Sequence, residues 1–204
     1  MDVQPNPTAP VQEKSDKPPM DIGREIYDWS QAVVGAMIFI VLLFSFFARV
    51  LGVQQESMVP TLHNNDRIVI CNLFYTPKTG DIIVFTKKGF RANETDTWSD
   101  EKPLVKRVIA TEGQVVQIDP EKGVVTVDGV ALDEPYTNTP TNTVGDLRHP
   151  YTMEVEAGHV FVMGDNRNKS LDSRSTEVGT IDTRYILGRV LFRLFPFSQI
   201  GFVA

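Results

Sequence analysis

The sequence predicts a mostly β, antiparallel domain over residues 49–204, carried behind one N-terminal transmembrane helix over residues 29–48. Three observations predict it. Between Asp28 and Arg49 no residue is charged. After residue 52 no long amphipathic helical period appears, and short runs rich in Val and Ile recur instead. Turn residues separate those runs, among them Asp119-Pro120-Glu121-Lys122-Gly123 and Asp128-Gly129.

The uncharged run holds Val33-Val34, Met37 through Phe44, and Phe46-Phe47. About twenty residues make a helix of about 30 Å, the thickness of the hydrocarbon core of a bilayer. Tyr27 and Trp29 stand at its start, where interfacial aromatics belong. A cleaved leader would have a basic segment, a shorter apolar core and small residues at the cut. Here a long, net acidic tail precedes the run, and Ser45-Phe46-Phe47-Ala48-Arg49 makes a poor cleavage site. The core helix of a soluble protein would show a polar face, and this run has none. An uncleaved anchor in the lipid bilayer is the expected role. Residues 1–28, rich in Pro, Asp, Glu, Lys and Gln, are expected to form a flexible tail, because they cannot bury enough apolar surface to order themselves. Lys14, Lys17 and Arg24 precede the span and Arg49 and Arg67 follow it, so the positive-inside bias is slight.

Strands are expected at Arg67–Cys71, Asp81–Phe85, Leu104–Ala110, Val115–Ile118, Val124–Val127, His159–Met163 and Tyr185–Phe192. The segment 119–123 reads as a hairpin turn inside an excursion spanning about 112–157. Lys87–Lys102 and Thr137–Pro150 read as loops. No internal repeat is present.

Several function classes are excluded early. A formal net charge of -6 gives no reason to expect the clustered Lys and Arg that a phosphate-binding face needs, so no nucleic-acid partner is expected. The single cysteine, Cys71, allows no intrachain disulfide and no cysteine-based zinc site, and its apolar surroundings suit a buried small hydrophobe. His63, His149 and His159 show no metal-ligand spacing, and neither a Gly-rich phosphate loop nor a Gly-x-Ser-x-Gly elbow occurs. Neither a metal nor a cofactor is expected.

Three segments carry possible chemistry. Glu56-Ser57-Met58-Val59-Pro60-Thr61-Leu62 places a serine in a Pro-bounded turn just outside the anchor. Taken alone it is an ordinary polar turn. Leu104-Val105-Lys106-Arg107-Val108-Ile109 sets a lysine inside an apolar strand. Alternation puts Lys106 on the face of Leu104 and Val108, with Arg107 on the other. An ammonium on an apolar face is disfavoured, so the Lys106 pKa should fall, unless the chain snorkels out from an edge strand. Gly164-Asp165-Asn166-Arg167-Asn168-Lys169-Ser170-Leu171-Asp172-Ser173-Arg174 is unusually dense in groups that hydrogen-bond to one another.

These segments together resemble the bacterial type I signal peptidases, or leader peptidases. That family carries Ser-Met-x-Pro-Thr-Leu, matched at Ser57–Leu62, and then Gly-Asp-Ile/Val-Val-Val-Phe, resembled by Gly80–Phe85. Its Lys-Arg-Val-Ile-Gly-x-x-Gly-Asp is resembled by Lys106–Gln114, and its Gly-Asp-Asn-Arg-x-x-Ser-x-Asp-Ser-Arg is matched by Gly164–Arg174 at every specified position. The motifs stand in family order, and the resemblance spans about residues 28–203. It departs at Ala110 and Gln114, and at Gln55, where relatives have Gly or Ser.

The resemblance implies a signal-peptidase-like β fold and a membrane-bound serine endopeptidase that cuts secretory preproteins after an Ala-x-Ala-like site. It implies Ser57 as nucleophile and Lys106 as general base, with Ser170 orienting Lys106. An Asp172–Arg174 ion pair would stand beside them and Met58 would help line the substrate pocket. Gln55 would take the place of the hydroxyl that some members use at the oxyanion. The tail would be cytoplasmic and the β domain extracytoplasmic, on the cell membrane. Two other readings compete: a Ser-Lys hydrolase related to self-cleaving repressors, and a tethered β domain that only binds exported proteins or wall components. The anchor and the complete last motif oppose the first. The presence of both Ser57 and Lys106 opposes the second.

Overall fold

The structure, a computed structural model, describes residues 22–46, 48–87, 103–142 and 151–203. The chain divides into two compact units, one ending at Leu42 and the other beginning at Leu43.

The helix α1, Ile22–Phe46, supplies the described part of the first unit, and its last turn belongs to the second. Its stretch Ile22–Leu42 has a mean hydropathy of 1.4 and is long and apolar enough to cross a membrane. The helix starts seven residues before the expected anchor, so 22–28 is helical and not part of a loose tail. Arg24, Glu25 and Ile26 are adequate helix formers, and Glu25 in the first turn favours the positive end of the helix dipole. It ends at Phe46, short of the expected 48, because Ala48 already belongs to a strand.

The second unit contains twelve strands among the described residues. They are β1 (Ala48–Gly52), β2 (Arg67–Cys71), β3 (Ile82–Phe85), β4 (Leu104–Thr111), β5 (Val115–Asp119), β6 (Val124–Val127), β7 (Val130–Ala131), β8 (Tyr151–Glu154), β9 (His159–Met163), β10 (Ile181–Asp182), β11 (Ile186–Phe195) and β12 (Gly201–Phe202). The larger sheet runs β1-β2-β11-β3-β4-β9-β10, with β12 added to β11, and every pairing is antiparallel. The smaller sheet, β7-β6-β5-β8, falls within the expected excursion.

Both faces of the larger sheet are buried. Ile82 and Val84 join Val53, Met58, Leu62, Ile68, Ile70 and Val190 in one apolar cluster. Ile83 and Phe85, which alternation turns the other way, join Leu104, Val108, Val160 and Val162 in another. A third cluster, with Ile109, Val116, Ile118, Val125, Phe161 and Met163, fastens the small sheet to β4 and β9. Two-sided burial explains why β3 reads as an unbroken apolar run.

The expected hairpin forms: β5 pairs with β6 out to Asp119 and Val124, and the Asp119 carboxylate accepts the Glu121 and Lys122 N–H groups. Asp128 and Gly129, with φ of 54° and 79°, turn β6 into β7. This is the left-handed pair that a two-residue hairpin loop requires. Strand β1 was hidden in the sequence because its apolar residues continue the anchor's run. Most of the two expected loops, 88–102 and 143–150, lies outside the described residues.

The topology converges on one place. The chain leaving β1 forms the Ser57 turn, and β4 carries Lys106 opposite Ile83 of β3. In the β4–β9 ladder Arg107 pairs with Met163, so the Gly164–Arg174 segment leaves β9 beside Lys106 and Arg107.

Candidate active site

Ser57 sits in a tight turn held by the Leu62 N–H on the Met58 carbonyl at 2.9 Å. Its side chain meets Lys106, whose Nζ lies 2.6 Å from Ser57 Oγ. Lys106 is 2% exposed and Ser57 8%. The alternative of a lysine snorkelling to solvent is thereby removed.

Burial pushes the Lys106 pKa down to about 8; Asp172 and Asp165 pull it up, and Arg174 pushes it further down. At pH 7 a group of pKa about 8 is neutral in roughly a tenth of molecules, against about one in 2,500 at the ordinary lysine value. A neutral amine at this distance can accept the serine proton.

The segment after β9 supplies the walls. Asp172 is bound by both arms of the Arg174 guanidinium, each at 2.8 Å, and accepts the Gly164 N–H at 2.9 Å. Burial alone would raise the Asp172 pKa, but the Arg174 guanidinium and the neighbouring N–H and hydroxyl groups hold it below the usual carboxylate range. The expected Asp172–Arg174 pair is present.

Asp165 forms a second buried pair, with Arg107 at 2.8 Å through two nitrogens, and accepts the Thr61 hydroxyl at 2.5 Å. Arg107 also donates to the Gly80 carbonyl. Thr61, Gly80, Arg107 and Asp165 come one from each of the four sequence motifs, so one carboxylate and one guanidinium tie all four together. Asn166 completes the attachment, its N–H on the Ser57 carbonyl at 3.0 Å and its amide on the Glu56 carbonyl at 3.1 Å. Gly164 is required by close approach. A Cβ there would overlap the Ser57 carbonyl and the Ser170 hydroxyl.

The other candidate residues are placed less simply. Gln55 is exposed and holds a φ of 81°, a left-handed conformation that glycine adopts without strain. Its N–H donates to Asn64 Oδ1 at 3.2 Å. Met58 is 1% exposed inside an apolar cluster, so the expectation of a pocket-lining side chain meets a core residue. The Ser170 hydroxyl is buried next to Gly164 and close enough to Asp172 to help keep it ionised, but it has no partner in hydrogen-bond geometry; Lys106 is not joined to it.

The sequence places Arg107 only on the face opposite Lys106 and does not single out Thr61, Asp165, Arg167, Glu134 or Tyr136. The signal available was two arginines, Arg107 and Arg167, within otherwise apolar or tightly turned segments, each needing a carboxylate. No group of three His, Cys, Asp or Glu gathers among the described residues. A cavity of about 600 Å³ lined by Tyr75, Glu112, His159 and Arg184 contains neither Ser57 nor Lys106. Concavity alone would have pointed away from the Ser57–Lys106 contact.

A serine hydroxyl against a buried amine, on a β scaffold, is the arrangement of a serine hydrolase that dispenses with histidine. The family described as "Signal peptidase, peptidase S26" matches residues 26–195. A probable signal peptidase I-1 from Synechocystis sp. is 37% identical over 81% of this chain and 81% of its own length. A signal peptidase IB from Staphylococcus aureus strain COL is 32% identical over 86% of this chain and 93% of its own. A solved signal peptidase I from Enterococcus faecalis V583 superposes with a TM-score of 0.42 at 25% identity, over 56% of this chain and 97% of that one. The chain belongs to the signal peptidase family, peptidase S26, a family of serine endopeptidases.

The depressed lysine pKa has a consequence for stability. Unfolded Lys106 binds its proton up to about pH 10.4 and folded Lys106 only up to about pH 8, so the unfolded state holds more protons between the two values and stability rises with pH there. Lys106→Met should therefore raise the free energy of unfolding at pH 7 by about 1–3 kcal/mol, a gain that shrinks to nothing above about pH 10. Denaturant titrations of the full chain in detergent at pH 7 and pH 10.5 measure both. A destabilised Lys106→Met at pH 7 would contradict the cost assigned to burying the amine.

Proposed function

We propose that the chain is a membrane-bound endopeptidase that removes signal peptides from secretory preproteins by a Ser57–Lys106 dyad, cutting after an Ala-x-Ala-like site. The observation that carries this reading is the 2.6 Å approach of Lys106 Nζ to Ser57 Oγ with the lysine 2% exposed. Neutral Lys106 takes the Ser57 proton as Oγ attacks the scissile carbonyl carbon. The resulting ammonium then gives its proton to the departing amine, leaving an acyl-enzyme. Water, deprotonated by the same amine, releases the acyl group and restores Ser57.

The developing oxyanion needs donors. The Ser57 N–H donates to no group among the described residues and is the first candidate. The Gln55 amide, two residues earlier and exposed, is the second. Asp172 and Arg174 hold the Gly164 backbone against the Ser57 carbonyl, and Ser170 is the hydroxyl that the family resemblance assigns to orienting Lys106. Helix α1 crosses the cell membrane, with the preceding segment cytoplasmic and the β unit outside, so the enzyme is tethered to the bilayer at which a preprotein's apolar segment arrives. No metal or cofactor takes part in these steps.

Ser57→Ala and Lys106→Met should each lower cleavage of an Ala-x-Ala preprotein by a factor of about 1,000 or more, and the double variant should be hardly worse than either. The acid limb of kcat/KM should have its midpoint near pH 8, where Lys106 loses its proton. Gln55→Ala should lower kcat by about 100-fold with KM little changed, as for loss of one oxyanion donor. Retention of a tenth of the activity in either dyad variant removes that residue from the mechanism, and a silent Gln55→Ala removes the second donor alone. Orientation is checked separately. Protease added to wall-stripped cells should cut the β unit and spare residues 1–21; the opposite pattern reverses the topology.

A further inference from the structure

The segment after β7 folds over the Gly164–Arg174 run in a way that the dyad alone does not explain. From Leu132 to Tyr136 the residues alternate between half-buried and exposed, with Leu132, Glu134 and Tyr136 turned inward and Asp133 and Pro135 outward. Residues 132–134 run on from β7, and Pro135-Tyr136 then turn the chain, closed by the Thr137 N–H on the Glu134 carbonyl at 3.1 Å; the proline holds the preceding residue out of the helical region. Leu132 packs on the apolar cluster shared with β4 and β9. The two inward polar side chains both reach arginines.

Glu134 receives Arg167 through both terminal nitrogens, Nη1 at 2.7 Å and Nη2 at 2.5 Å, and Thr141 Oγ1 accepts Nη1 at 2.9 Å. Arg167 is 1% exposed, so the pair is largely shielded from water. Tyr136 lays its ring 4.0 Å from the Arg107 guanidinium carbon and 5.8 Å from that of Arg167, and its hydroxyl donates to Glu134 Oε1 at 3.1 Å. A cationic plane over an aromatic face is attractive, most of all where water is excluded.

Arg167 passes this restraint on. Its Nε donates to the Gly164 carbonyl at 3.2 Å, and its own carbonyl accepts Arg174 Nη2 at 2.7 Å. Gly164 in turn has no room between its backbone and the Ser57 carbonyl, and the Asn166 N–H holds that same carbonyl at 3.0 Å. A planar guanidinium with its fork filled by Glu134 has one orientation, and that orientation sets where the 164–167 turn presses on Ser57.

We propose that Glu134 is a positioning residue for the Ser57 nucleophile, acting through Arg167 and the Gly164 backbone, with Tyr136 bracing both Arg107 and Arg167. The role rests on the Ser57–Lys106 reading above. Glu134 touches neither the dyad nor Gly164, so it exchanges no proton and meets no substrate atom in this scheme. Loss of its charge frees the fork of Arg167 and lets the turn under Ser57 drift, which is felt in the chemical step.

The test uses the full chain in detergent, an Ala-x-Ala preprotein, and an acylating probe to count competent sites. Per counted site, Glu134→Gln should lower kcat about ten-fold with KM within about two-fold, since small misplacement of a nucleophile is expensive in rate. The acid limb near pH 8 should stay in place, because Lys106 keeps its surroundings. Arg167→Met should give the same split, and the double variant should be no worse than the poorer single, as for two groups in one chain of action. Lys122→Ala, an exposed change in the same excursion, should be silent. Glu134→Gln carries the test even where Arg167→Met fails to fold. A Glu134→Gln enzyme within two-fold of wild type per counted site overturns the proposal, as does a loss explained wholly by fewer competent sites. Ser57→Ala run in parallel separates the two readings: if it remains active the dyad itself fails, and if it is dead while Glu134→Gln is unaffected only the positioning role falls.

Discussion

Keeping one amine dry governs the β unit. Lys106 can act as a base near neutral pH only if its ammonium is disfavoured, and burial is the largest of the influences that lower its pKa to about 8. That demand explains features which look unrelated in isolation. Strand β4 is covered on both faces, and Lys106 stands opposite the fully buried Ile83 of β3. The segments that close over it come from β9 and from the turn after β1.

Closing that space brings in charges that must be neutralised locally. Arg107–Asp165, Arg167–Glu134 and Arg174–Asp172 form three pairs, each with its arginine no more than 3% exposed. Buried pairs contribute little net stability, because desolvation offsets most of their attraction, but a broken one leaves an unpaired charge in a dry place. Their value here is geometric. Each guanidinium is gripped at two points by its carboxylate and also reaches a backbone carbonyl, of Gly80, Gly164 or Arg167, so side-chain pairing fixes the main chain around Ser57. The protein accepts a stability penalty at Lys106 and surrounds it with rigid polar pairs.

Local pattern made much of this legible. Val- and Ile-rich runs marked seven strands, and Asp119–Gly123 and Asp128-Gly129 marked their turns, because alternation and turn chemistry are properties of neighbouring residues. The Ser57–Lys106 pairing was reached by resemblance of motifs, since 49 residues separate the two and nothing in either segment names the other. The long-range pairs were invisible for the same reason: Arg107 and Asp165 are 58 residues apart, Arg167 and Glu134 33. Strand β1 was absorbed into the anchor's apolar run, and β7, β10 and β12 are two residues each, too short for a period to show. The left-handed backbone at Gln55 had no sequence sign, because glutamine is a residue that rarely adopts it.

The most direct measurement is the titration of Lys106 itself, independent of any activity. Nitrogen-15 labelling of lysine side chains in the full chain, with Lys106→Met to assign the resonance, reads the protonation of this one Nζ by NMR. A midpoint near pH 8 is the result expected of an amine buried against Ser57. A midpoint near the ordinary lysine value of about 10.4 would mean a hydrated ammonium at neutral pH and would contradict the account at its centre.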